Sequence, residues 1–259
     1  MRVTVLGCGS AGGVPQIGRD WGNCDPHEPR NRRRRASILV EADGARVLVD
    51  TSPDMREQLI DANVSAVDAI LFTHEHADHI HGIDDVRTLN RISRRAIDAY
   101  AATRCLNVIG QRFEYVFTPP PLEGGKPVFF KPCLTAHEVA PGTMFAAAGL
   151  DVLPFVQDHG FMTTLGFRFG DFAYSTDVVN LDGAAFAALA GIKVWMVGCL
   201  GHHPHPTHAH LDKVLGWIDR LKPERAILTH MTGALDYRRL RDTLPRGVEP
   251  AHDGMILDI

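Results

Sequence analysis

No apolar run in this chain is long enough to span a bilayer, which excludes a membrane-embedded role for any single helix. The amino-terminal MRVTVLGCG lacks the apolar stretch and small-residue cleavage site of a signal peptide, and reads as a β-strand running into a glycine turn. A cytoplasmic protein is the expectation. A paired cysteine framework is also missing, because the five cysteines (Cys8, Cys24, Cys105, Cys133, Cys199) are odd in number and scattered, which suits reduced thiols. There is no basic excess. The formal net charge of −4 argues against a long nucleic acid as partner and leaves small anionic substrates open. No internal repeat, low-complexity tract or linker interrupts the sequence, so one domain over residues 1–259 is expected.

What the chain has in surplus is histidine, fourteen in all. The apolar run Ala69-Ile70-Leu71-Phe72 delivers Thr73-His74-Glu75-His76-Ala77-Asp78-His79, four metal-ligating side chains within six residues. In an extended stretch His74 and His76 point the same way and can share one metal, while Asp78 and His79 after the turn can reach a second. A chance surface loop would give the strand no reason to end in so many costly polar groups. Further β-rich runs occur at Val3 to Leu6, Ser37 to Glu41, Arg46 to Val49, Leu150 to Phe155, Leu165 to Phe169, Phe172 to Tyr174, Val194 to Val197 and Ala226 to Leu228. Asp43-Gly44 and Gly170-Asp171 read as hairpin turns. Helical spacing covers Pro53 to Ala62, with Ser52 as cap, and Ile83 to Ile97, Leu181 to Ala190, His208 to Leu221 and Tyr237 to Thr243. Strands in hairpin groups with helices between and after them fit a two-sheet sandwich flanked by helices.

The HxHxDH segment resembles the signature of the metallo-β-lactamase superfamily, whose members place three more ligands after later strands. Here these would be His159 after Phe155-Val156-Gln157-Asp158, Asp177 after Phe172 to Thr176, and His230 after Ala226 to Thr229. The resemblance implies an α/β protein, an αββα four-layer sandwich. It also implies that His74, His76 and His159 hold one metal, that Asp78, His79 and His230 hold the other, and that Asp177 bridges. Asp78 then counts as catalytic as well as ligating. β-Lactamases of this fold carry a cysteine on the second metal, so antibiotic hydrolysis is not expected. Two cations about 3.5 to 4 Å apart can hold a hydroxide that attacks phosphorus. His-rich ligation suggests Zn2+, and the carboxylates also admit Mn2+ or Fe2+.

Gly7-Cys8-Gly9-Ser10-Ala11-Gly12-Gly13-Val14-Pro15, then Trp21-Gly22-Asn23-Cys24, is similar to the PhnP-like branch of that superfamily, the cyclic-phosphate phosphodiesterases. The similarity runs through the metal motifs to Asp253-Gly254-Met255. It implies hydrolysis of a small cyclic or nucleotide-like phosphate ester and admits a homodimer. By the same resemblance His208, in Thr207-His208-Ala209-His210, contacts the substrate and protonates the leaving oxygen; Thr207 would cap a helix starting there. Alternatively His202, His203, His205, His208 and His210 form a polar loop with no single catalytic member. The branch's separate structural zinc is not expected, since only Cys24 and Gly233 occupy its ligand places. The glycine turn could offer backbone N–H groups to an anion or simply turn tightly. One or two of Arg30, Arg32, Arg33, Arg34 and Arg35 could fork a phosphate. His81, Asp84 and Asp85 could support ligands. Rival readings are a tRNA-processing nuclease, a thioester hydrolase, a pyrroloquinoline-quinone-biosynthesis type of protein, and a metal-dependent binding protein without turnover.

Overall fold

Strands whose successive residues are all apolar need partners on both faces, and the first half of the chain supplies them. The computed structural model describes residues 1–129 and 131–259. In it β1 (Arg2–Gly7), β2 (Ser37–Ala42), β3 (Ala45–Val49), β4 (Ala69–Leu71) and β5 (Ile97–Ala101) build one sheet. A short ribbon of β6 (Leu122–Glu123) and β7 (Lys126–Pro127) precedes β8 (Leu134–Glu138), which completes that edge. The second sheet takes β9 (Phe145–Ala147), β10 (Leu150–Asp158), β11 (Thr163–Phe169), β12 (Phe172–Ser175), β13 (Val194–Gly198), β14 (Arg225–Thr229) and β15 (Val248–Pro250). β16 (Ile256–Asp258) returns to pair with β1.

Ile38, Val40, Val47, Val49, Ala69 and Leu71 point between the sheets, where they meet Val152, Phe167, Tyr174 and Met196. Their neighbours Leu39, Leu48 and Ile70 point the other way, into a second cluster under α1 (Met55–Asp61), α3 (Val86–Ser93) and α4 (Thr103–Arg112), which flank α2 (Ala77–Ile80) in sequence. The outer face of the second sheet is covered by α5 (Gly183–Ala188), α6 (Leu211–Leu221) and α7 (Tyr237–Thr243), through Ala185, Leu189, Val214 and Leu240. The order of layers is αββα, as the resemblance implies. Burying each such aliphatic side chain contributes on the order of 1.5–3 kcal/mol. Among the described residues no helix is long and apolar enough to cross a membrane.

Both expected hairpins form. Ala42 pairs with Ala45 around Asp43 and Gly44, both at positive φ, and Phe169 pairs with Phe172 across Gly170. Three helix expectations need correction. Helix α1 begins at Met55 with Asp54 at its cap position, and the Ser52 hydroxyl instead accepts from the Asp54 N–H, so Ser52 and Pro53 stand outside it. The run from Ile83 is a 3-10 turn followed by α3, which ends where Arg94 turns left-handed, and Ile97 opens β5. Helix α6 begins at Leu211, so Thr207 caps nothing and His208 lies in the loop before it.

Candidate metal centre

The pairing pattern makes β3 parallel to β4, and β12 parallel to β13 and β14. Two antiparallel steps give β10 the direction of β12 as well. Their carboxyl ends therefore gather at one edge of the sandwich, and the ligand candidates follow those ends. His74, His76, His159 and Asp177 form one group, and Asp78, His79, Asp177 and His230 another, with ligand atoms inside each group within 4.8 Å of one another. Asp177 divides its carboxylate between them. Its Oδ1 is 3.8 Å from Nε2 of both His74 and His159. Its Oδ2 is 3.1 Å from His79 Nε2 and 3.2 Å from His230 Nε2. Asp78 Oδ2 lies 3.2 Å from His79 Nε2 and 3.5 Å from His230 Nε2.

Whether these residues suit metal ions can be tested on their unmet polar atoms. Nε2 of His74, His79 and His230 and Oδ2 of Asp78 are buried without hydrogen-bond partners. Leaving such a group unsatisfied costs about 1–3 kcal/mol. The unmet atoms are lone-pair atoms aimed into the two groups, so a divalent cation in each fits the donor set.

In three of these histidines the other ring nitrogen fixes the tautomer, whereas His230 Nδ1 is buried without a partner. His79 Nδ1 donates to Asp50 Oδ2 at 2.7 Å, and Asp50 also accepts from the Thr73 N–H and hydroxyl, each at 2.8 Å. With the Thr73 hydroxyl committed to Asp50, His74 Nδ1 donates to Thr73 Oγ1 at 3.0 Å. His159 Nδ1 donates to the Thr207 carbonyl at 2.7 Å. Each bond leaves Nε2 free to ligate. The Thr176 hydroxyl donates to Asp177 Oδ2 at 2.7 Å.

Electrostatics without metal reveal how much positive charge the site wants. Burial works against the imidazolium of His79, yet Asp78, Asp177 and Asp50 outweigh it and hold its pKa well above the ordinary value. His230 is raised in the same way, against burial, by Asp177 and Asp78. Burial opposes the Asp78 and Asp177 carboxylates, but the surrounding imidazoles pull both below the usual range. His74 and His159 are lowered, first by burial. The carboxylates thus favour positive charge at His79 and His230, where a bound cation would supply it.

Over the two groups lies a cavity of about 160 Å³, walled by Ala11, Phe161, Met162, Thr207 and His208. His208 stacks on His230 with ring centroids 4.9 Å apart, and its Nδ1 is 3.9 Å from Asp177 Oδ1. Burial, and then neighbouring His230, lowers its pKa to about 3. A broader depression of about 950 Å³ at the β2–β3 turn includes none of these ligands, so size does not mark the site.

The arginine run points elsewhere. Arg30 pairs with Glu28, Arg34 with Asp61 and Arg35 with Asp54. Arg33 is buried, donating to the Thr232 and Leu235 carbonyls at 3.0 and 2.6 Å beside Cys24. No arginine lines the cavity among the described residues, so the expected phosphate fork is absent from it. The glycine turn packs closely at Gly7 and Gly9, and its Ala11 lines the cavity. A Cβ at Gly7 or Gly9 would meet carbonyls of residues 33 to 35 at 2.9 Å or less, and the N–H groups of Cys8, Gly9, Ser10 and Gly13 are all bonded within the fold. Asp84 accepts from the Tyr115 hydroxyl and His81 packs on Phe113, and among the described residues no side chain of His81, Asp84 or Asp85 is hydrogen-bonded to a ligand candidate. Sequence reasoning missed Asp50 and the Thr207 carbonyl in that supporting role. Asp50 had a visible signal, a carboxylate directly after the apolar strand β3.

Comparison with known proteins agrees with this geometry. A family model described as the β-lactamase superfamily domain matches residues 45–231. The octanoyltransferase of Porphyromonas gingivalis is 31% identical over 258 residues, which cover 98% of this chain and 51% of that protein. The chain thus spans about half the length of that relative. The crystal structure of a diphosphatase from the PhnP family superposes with a TM-score of 0.90 at 35% identity, covering 100% of this chain and 97% of that one. Zinc-bound PqqB from Methylobacterium extorquens shares the fold, with a TM-score of 0.75 at 20% identity over 100% of both chains. With this match over most of the chain, its sandwich and its paired His/Asp groups, the protein belongs to the metallo-β-lactamase superfamily, in its PhnP-like branch.

Proposed function

We propose that the protein is a dinuclear metal-dependent phosphodiesterase acting on small cyclic or nucleotide-like phosphate esters. The observation that carries this reading is the split of the Asp177 carboxylate between two ligand groups beneath a cavity walled by a further imidazole. Two divalent cations, Zn2+ or Mn2+ with Fe2+ also admitted, would supply Lewis-acid polarisation and an acidified water for displacement at phosphorus. His74, His76 and His159 would hold one, Asp78, His79 and His230 would hold the other, and Asp177 belongs to both groups. Asp50 and the Thr207 carbonyl keep the imidazoles in the ligating tautomer. The cavity is large enough for a phosphoryl group and its immediate substituents, so the rest of the substrate projects outward.

His208 stands where the leaving oxygen departs. Burial and the neighbouring His230 favour its neutral form, and an anionic phosphate entering beside it would favour the imidazolium that donates a proton to the alkoxide. A second reading, hydrolysis of a diphosphate linkage, is supported by the 35% identical diphosphatase and would use the same groups on another P–O bond. Purified protein of known metal content is to be assayed against bis(p-nitrophenyl) phosphate, a ribosyl cyclic phosphate, a dinucleoside diphosphate, an octanoyl thioester and precursor tRNA. Preferential turnover of the cyclic ester supports the phosphodiesterase. No phosphorus ester turning over with zinc or manganese present overturns it.

A further inference from the structure

Phe161 is 90% exposed although it belongs to the hydrogen-bonded turn that carries His159. The turn is well defined: His159 N–H donates to the Met162 carbonyl, Phe161 N–H to the His159 carbonyl, and Gly160 adopts a φ of +77°. A Cβ at Gly160 would meet the Pro206 carbonyl at 2.8 Å, so the turn is pressed against the loop bearing His208. Phe161 is therefore held out into solvent at the rim of the metal cavity, and among the described residues no aromatic or cationic group stacks on its ring. An aromatic side chain fixed in water beside a polar centre leaves a flat apolar face unused.

We propose that Phe161 is a stacking platform for a planar aromatic group, a nucleobase or an aryl ring, carried by the phosphate compound whose phosphoryl end sits over Asp177. The placement of the phosphate rests on the phosphodiester reading. A flexible alkyl chain loses its water only in a groove walled on both sides, whereas one free ring complements another flat ring. Among the described residues no arginine or lysine lines the cavity to read additional phosphates, so selectivity falls on the uncharged part of the ligand.

The test is calorimetric titration of the metal-loaded protein with adenosine 5′-monophosphate, ribose 5-phosphate and octyl phosphate. The nucleotide is expected to bind on the order of tenfold more tightly than ribose 5-phosphate, the gain typical of one stacked base. Phe161→Ala is expected to erase that difference and Phe161→Trp to keep it. Equal affinities in the wild type, absence of nucleotide binding, octyl phosphate binding more tightly than the nucleotide, or Phe161→Ala weakening all ligands alike would each overturn the platform. The titration needs no turnover, so a failed activity assay and a failed platform are distinguishable.

Discussion

Replacing Asp50 by asparagine changes almost nothing in shape and reverses one hydrogen-bond donor, which makes it a sharp probe of the second metal site. In the native site Oδ2 accepts from His79 Nδ1 at 2.7 Å and from the Thr73 hydroxyl, while Oδ1 accepts from the Thr73 N–H at 2.8 Å. An amide can face this pocket two ways. With its oxygen toward His79, its NH2 confronts the Thr73 N–H and two buried donor groups are left unpaired, at a cost of about 1–3 kcal/mol each. With its NH2 toward His79, Nδ1 must become an acceptor and the proton moves to Nε2, the atom 3.1 Å from Asp177 Oδ2 that would hold the metal. Either arrangement weakens ligation, and loss of such a supporting carboxylate typically costs 10–100-fold in metal affinity, or about 1.4–2.8 kcal/mol. Competition against a chromogenic chelator, with elemental analysis of metal per chain, should show one tight site retained and one weakened by that factor. Retention of both sites within twofold, or equal loss of both, would refute the tautomer argument.

Other perturbations reach other parts of the site. His208→Ala should retain both metals and slow esters with poor leaving groups by about 10²–10⁴, while an activated p-nitrophenyl ester slows far less; equal slowing in steady-state assays removes His208 as the proton donor. Arg33→Met removes the guanidinium donors from the Thr232 and Leu235 carbonyls, which keep only the Leu235 N–H at 3.3 Å and the weak Cys24 thiol donor at 3.4 Å, and urea denaturation should show a loss of about 1–3 kcal/mol; a change below about 0.5 kcal/mol would sink that account. Metal-free protein should be most stable near the ordinary histidine value of 6.5. His79 and His230 have raised pKa values, so their contribution is full below that value and is lost as pH rises through their folded pKa. His74, His159 and His208 have lowered pKa values, so theirs is present above it and is lost as pH falls. Denaturation midpoints in chelator over a pH series test this, and a profile rising or falling steadily through neutrality would contradict it.

The site was legible where chemistry is dense and the fold where periodicity is clean. Four ligand side chains crowded into the stretch from His74 to His79 have few structural uses, and His159, Asp177 and His230 each follow an apolar run that forms a strand. Asp50 escaped notice because Ser52-Pro53-Asp54 after it reads as a helix start, which draws attention to capping and away from β3. The strand β5 went unread, the expected helix running on to its first residue Ile97, although Ile97, Ala99 and Ala101 alternate with Asp98 and Tyr100 in period two and are all buried. The true boundary is set by Arg94 in the left-handed region, a residue with no turn propensity to announce it. The fate of Arg33 was illegible for a different reason. A guanidinium donating to the carbonyls of residues 232 and 235 depends on contacts two hundred positions away.

Three residues that build the site share one backbone feature. Asp50 (φ 64°), Asp177 (φ 40°) and His230 (φ 54°) each leave a strand through the left-handed region. That conformation costs a non-glycine residue about 1–3 kcal/mol, and aspartate and histidine are among the residue types that tolerate it best. A strand continuing in extended geometry would carry its next side chain to one face of the sheet, into the apolar core or the helical layer. The sharp left-handed turn directs the side chain across the sheet edge instead, where the ends of β3, β12 and β14 lie together. Glycine would relieve the backbone and abolish the ligand, so strain and function are fixed in the same residues. The burial of Val47, Val49, Tyr174, Leu228 and their neighbours in the strands behind them offsets that strain, and the rigidity of those strands makes the aim reproducible.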